Sequence, residues 1–131
     1  MFYATVQDLI ARFGEPELVQ LTDTLHRPPT TIDTTRVQIA IHDAQMEVDS
    51  AIGRIYRLPL AGCAKPSPMP GDVTTTTLVP PPQLTRIVCD VARYYLYQVL
   101  APEHEVYLRY KAADRELSAI ADGNALLACP W

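Results

Sequence analysis

Three histidines, three cysteines and three serines are the residues from which catalysis or metal binding would have to be assembled. His26, His42 and His104 fall on three separate segments, and none has a ligand spacing such as H-E-x-x-H. His42, beside Asp43 on a polar helix face, reads as a solvated histidine. Cys89 lies between Val88 and Asp90 with no histidine that can be placed beside it, so it reads as a structural thiol. Cys63, Cys89 and Cys129 are an odd, widely spaced set without C-x-x-C, which suits a reduced chain better than a disulfide scaffold. The segment Asp23 to Asp33 has carboxylates at both ends, but Thr24-Leu25-His26-Arg27-Pro28 lacks the alternating Asp/Asn and central Gly of a calcium loop. Five dispersed glycines supply no phosphate-cradling loop, and Ser50, Ser67 and Ser118 stand outside any G-x-S-x-G. The expectation is a protein with no catalytic, metal or cofactor site and no small-molecule substrate.

Two other groupings rise above background. Arg86, Asp90 and Arg93 lie at i, i+4 and i+7 on an otherwise apolar helix, so Asp90 can pair with either arginine. The bland outcome is a solvated charge ladder; the sharper one is an ion pair between helices or subunits. Tyr94, Tyr95 and Tyr97 cannot share one helix face. Tyr95 falls on the core stripe, leaving Tyr94 and Tyr97 for a second core layer or a subunit contact. Trp131, in the apolar tail, is a further interface candidate.

Helices must position these groups. Thr5 with Asp8 resembles a capping box that opens a short helix, Gly14 ends it, and Pro16 suits the first turn of a second one to about Leu21. Apolar residues at Val37, Ile41, Ala44, Val48, Ala51 or Ile52, and Ile55 predict one long amphipathic helix over Thr34–Tyr56, capped by Asp33 or Thr34. Leu84, Ile87, Val88, Val91, Ala92, Tyr95, Leu96 and Val99 predict a well-buried helix ending near Leu100. Val106, Tyr110, Ala113, Leu117 and Ile120 predict another, from Pro102 to a stop at Gly123. Between the second and third groups, seven of the twelve prolines crowd into Leu58–Pro82, which predicts a long Pro/Thr-rich loop with a short strand at most, in Thr74–Val79. The fold class is therefore all-α: a small helical domain of three main helices plus a short N-terminal helix pair. It spans residues 1–123, and an apolar C-terminal tail covers 124–131.

A net charge of −4 argues against tight non-specific DNA binding. The N-terminus has no signal-peptide pattern, and no apolar run has the roughly 18 residues of a membrane span. An intracellular chain without membrane contact is expected.

Four blocks carry a resemblance: M-F-Y-A-T-V-Q-D-L-I-A-R-F-G-E-P-E-L-V-Q-L-T-D at the start, A-I-G-R-I-Y-R-L-P-L (Ala51–Leu60), L-T-R-I-V-C-D-V-A-R-Y-Y-L (Leu84–Leu96) and R-Y-K-A-A-D-R-E-L-S-A-I-A-D-G (Arg109–Gly123). The chain resembles a small protein family, classed as a domain of unknown function, encoded in Mu-like phages and prophages. That family is similar in size and helical layout to head–tail connector (head-completion) proteins. The resemblance implies a virion structural protein made in the bacterial host cytoplasm, a homo-oligomeric ring touching portal, head or tail proteins, with DNA only as passing cargo. Two departures stand out: the acidic, Asp/Gly-rich loop of relatives is replaced here by T-L-H-R-P-P-T-T-I-D, and residues 62–78 look like an insertion. A DNA-binding accessory protein using Arg86, Arg93, Arg109 and Arg115 is the alternative.

Overall fold

A computed structural model describes residues 3–23, 28–56, 58, 62–67, 69–71, 76–97 and 104–127. Among them it places five helices and one two-stranded antiparallel sheet. The mostly helical architecture is the one expected.

Local chemistry sets most of the element ends. Thr5 Oγ1 accepts from the Asp8 N–H at 3.3 Å, and Asp8 Oδ2 accepts from the Thr5 N–H at 2.8 Å, so the capping box opens α1 (Val6–Phe13). Gly14 ends α1 at φ +90°, a region L side chains avoid, and also caps α2 (Glu15–Thr22), with Pro16 in its first turn. Asp33 Oδ1 accepts from the N–H groups of Thr35 and Arg36 and starts α3 (Thr34–Ile52). Pro82 begins α4 (Pro82–Leu96). His104 Nδ1 accepts from the Val106 N–H at 3.2 Å and opens α5 (Glu105–Ala121), which stops before Gly123 at φ +80°.

Four expectations need correction. α3 ends at Ile52, not Tyr56: the Gly53 N–H still reaches the Asp49 carbonyl, but the Ile55 and Tyr56 N–H groups both fold back onto the Ile52 carbonyl in a closing turn, and Ile55 is left exposed. α4 ends at Leu96, not Leu100: Tyr97 adopts extended backbone, and its hydroxyl donates to Glu17 on α2 at 2.6 Å. The Pro/Thr-rich stretch is not loop alone. The strand foreseen there is β2 (Thr76–Val79), and it pairs with β1 (Cys63–Pro66) from Cys63 opposite Val79 to Pro66 opposite Thr76. In a two-stranded sheet both strands are edges, where proline is tolerated. Finally, Cys63 is buried and disulfide-bonded, so the expectation of a reduced chain fails there. Proximity in the fold decides such pairing, and cysteine spacing does not encode it. Pro102 and Trp131 also lie outside the described residues.

α4 is the centre of the core. It buries Leu84, Ile87, Val88, Val91 and Ala92, packing on one side against Val37, Ile41, Ala44, Val48 and Ile52 of α3. Against α5 it meets Ala113, Leu117 and Ile120, while Leu9 and Leu18 bring α1 and α2 over one end. The N-terminal segment is tied across two helices: the Tyr3 N–H donates to Gln45 Oε1 of α3, and the Tyr3 carbonyl accepts from Thr85 Oγ1 of α4. In the tail, Ala125 and Leu127 pack against the core, and the Leu127 N–H donates to the Tyr56 hydroxyl at 2.8 Å. No strand residue joins the main apolar cluster.

Truncating Ile87, fully buried on α4, to alanine should lower unfolding free energy by about 2–5 kcal/mol. Ile39→Ala, at an exposed position of α3, should change it by less than about 0.5 kcal/mol in the same urea titration.

Candidate interaction surface

The charged helix face resolves into two ties between helices of one chain. Arg93 does not pair with Asp90; it leaves α4 toward α2, where Nε and Nη2 hold the two Glu17 oxygens at 2.9 and 3.2 Å. Its guanidinium lies 4.3 Å from the Phe13 ring centroid, Nη1 reaches Glu105 of α5 at 3.5 Å, and only 11% of the side chain is exposed. Two parallel N–H bonds to one carboxylate are the strong geometry for such a pair. Tyr97 adds a third donor to Glu17; burial, then that hydrogen bond, pushes the Tyr97 hydroxyl up to about 12. Arg86 turns the other way, to Glu116 of α5 at 2.5 Å, with Asp90 at 3.8 Å. Burial pushes the Asp90 carboxyl up, against the pull of Arg109, Arg86, Arg12 and Arg93.

The tyrosines form a second layer between α4 and α5. Tyr94 stacks on Tyr110 with centroids 4.1 Å apart and planes 12° apart, and Tyr107 lies 6.0 Å from Tyr94. Tyr95, expected in the core, is 39% exposed and donates its hydroxyl to Glu47 of α3, which also accepts from Tyr110 at 3.4 Å. The helical stripe is right in direction but runs out at the last turn, where α3 offers a carboxylate instead of an apolar surface.

The remaining reactive groups stay apart. His42 is exposed, 3.9 Å from Asp43, His104 caps α5, and His26 lies outside the described residues. Cys89 is fully buried, and that burial pushes its thiol up to about 12, so little thiolate exists at neutral pH. No group of three potential metal ligands occurs among the described residues.

Two surfaces have no counterpart among the sequence expectations. On the solvent side of α3, Ile39 is 57% and Met46 is 47% exposed, and Asp43 stands between them. Ile39, Asp43 and Met46 share i, i+4, i+7 spacing, but the polar Gln38, His42, Glu47 and Asp49 around them make that face read as polar in the sequence. On the other side of the bundle, Arg12, Phe13, Arg86, Asp90, Arg109 and Ala112 line a cleft of about 410 Å³ between α1, α4 and α5. No motif connects those positions, because three helices contribute them.

Arg93→Ala should cost about 1.5–3 kcal/mol by urea unfolding, since it removes both guanidinium bonds from the part-buried Glu17 carboxylate. Arg86→Ala, at a more exposed pair, should cost less than about 1 kcal/mol. Between pH 10 and 12 the unfolded Tyr97 loses its proton while the folded one keeps it, so stability should fall as pH rises through that window. Tyr97→Phe should make that decline shallower in unfolding titrations at stepped pH.

No helix among the described residues is long and apolar enough to cross a membrane. No curated protein matches the chain. The family model described as bacteriophage Mu, Gp36 matches residues 3–130, which takes in all five helices and nearly the whole of the four sequence blocks. The chain belongs to the bacteriophage Mu Gp36 family.

Proposed function

We propose that this phage protein is a non-enzymatic virion assembly protein: a head–tail connector subunit that forms a ring-shaped oligomer between portal and tail. The observation that carries the reading is the exposed Ile39–Asp43–Met46 strip on α3, two aliphatic side chains flanking a carboxylate on a helix packed against α4. A subunit of this kind needs stiff helices, an unpaired face for a neighbour and loops that dock elsewhere. The tied arginines support the same reading. Arg86 is engaged by Glu116, Arg93 by Glu17 and Arg109 by Glu105, so they do not offer a continuous basic face to DNA. With a net charge of −4, the subunit suits a conduit that lets DNA pass without holding it.

Light scattering combined with electron microscopy of the purified protein, alone and with portal, tests this. Closed rings are expected in one or both preparations; a strictly monomeric protein in both overturns the reading. The strands β1 and β2 stand outside the main apolar cluster, and we assign their segment to partner contacts. Deleting residues 65–77 should leave helical circular dichroism and cooperative melting intact while impairing assembly. Loss of the folded domain would make the segment part of the core.

A further inference from the structure

We propose that α3 of one copy seats Asp43 in the Arg12–Arg86–Arg109 cleft of a second copy, making a head-to-tail contact. This inference rests on the ring-subunit reading and names the surfaces that would close the ring.

The cleft supplies guanidinium groups from three helices: α1, α4 and α5. Arg86 and Arg109 have carboxylate partners in their own chain, but Arg12 has no ion pair among the described residues, so its donors face the cleft unspent. Phe13 and Ala112 give the cleft apolar walls beside its charges. The occupant should therefore present one carboxylate flanked by aliphatic groups. The exposed strip of α3 has that composition. Asp43 is 62% exposed, its ion-pair neighbour among the described residues is His42 at 3.9 Å, and Ile39 and Met46 lie one turn to either side. At about 100° per residue these three positions fall within about 60° of each other on the helix surface.

The two surfaces cannot meet within one chain. Tyr95 leaves α4 toward α3, whereas Arg86 and Asp90 leave α4 about 140–180° away, toward α1 and α5. Two different, complementary patches on opposite sides of a rigid bundle make a heterologous contact, and repetition of such a contact generates a ring when the rotation closes. A nucleic-acid strand fits the cleft less well: Glu105 and Glu116 hold Arg109 and Arg86, so Arg12 is the unpaired guanidinium among the described residues of the cleft, which matches one carboxylate and not a run of phosphates.

A mixing experiment tests the pairing. Asp43→Arg destroys the strip and leaves the cleft, while the double variant Arg12→Glu, Arg109→Glu destroys the cleft and leaves the strip. All three positions are exposed, and circular dichroism would verify that both variants fold. By analytical ultracentrifugation, each variant alone should self-associate at least tenfold more weakly than the native chain. Mixed one to one, they should form a dimer capped at both ends, and nothing larger. If the native chain assembles and both variants assemble equally well, or their mixture gives no dimer, the pairing is wrong while the ring reading stands. A native chain that stays monomeric, alone and with portal, overturns both.

Discussion

A single helix must be buried on nearly every side, and the rest of the molecule is arranged to do it. α4 carries Leu84, Ile87, Val88, Val91 and Ala92 on neighbouring faces, a surface too broad for one partner helix to cover. α3 covers one side and α5 another, and α1 with α2 closes an end. Burial on that scale leaves the polar groups of α4 few places to go. Arg86 and Arg93 therefore emerge at the seams between helices, where they meet carboxylates from α5 and α2, and Asp90 sits beside Arg86 on α4 itself. The ion pairs follow from the packing; they fix helix ends in register and are not the source of the core's stability.

The same constraint explains what is left for function. Charges engaged at the seams are unavailable to a ligand, and the tyrosines of α4 are occupied by Tyr110 and Glu47. What stays unsatisfied is an aliphatic strip with one carboxylate on α3 and, on the far side, Arg12 in the cleft it shares with the paired Arg86 and Arg109. Surfaces of that kind recognise other proteins. Membership of the Mu Gp36 family makes this a phage protein; the role in virion assembly is our proposal, and it rests on these two surfaces.

Much of the fold was legible because its signals are local. The Thr5–Asp8 capping box, Gly14, Pro16, Asp33 and Gly123 each act within a few residues, and each stands where the sequence placed it. The errors came from distance. Tyr97, where α4 ends, donates its hydroxyl to Glu17, 80 positions away. Strand β1 is short, contains Pro66 and exists only by pairing with β2. The disulfide at Cys63 likewise depends on which segments meet in space. The candidate surface was half legible: Ile39, Asp43 and Met46 were present at helical spacing, but the stripe of Val37, Ile41, Ala44 and Val48 accounted for the helix without them. The cleft was not legible at all, since tertiary structure alone brings Arg12, Arg86 and Arg109 together.

The central claim is that the exposed face of α3 is covered when the protein assembles. Hydroxyl-radical footprinting read by mass spectrometry measures this at Met46, whose thioether oxidises readily when solvent reaches it. The account predicts strong Met46 oxidation in the dissociated protein and several-fold protection in the assembled form. Equal oxidation of Met46 in both states would contradict it.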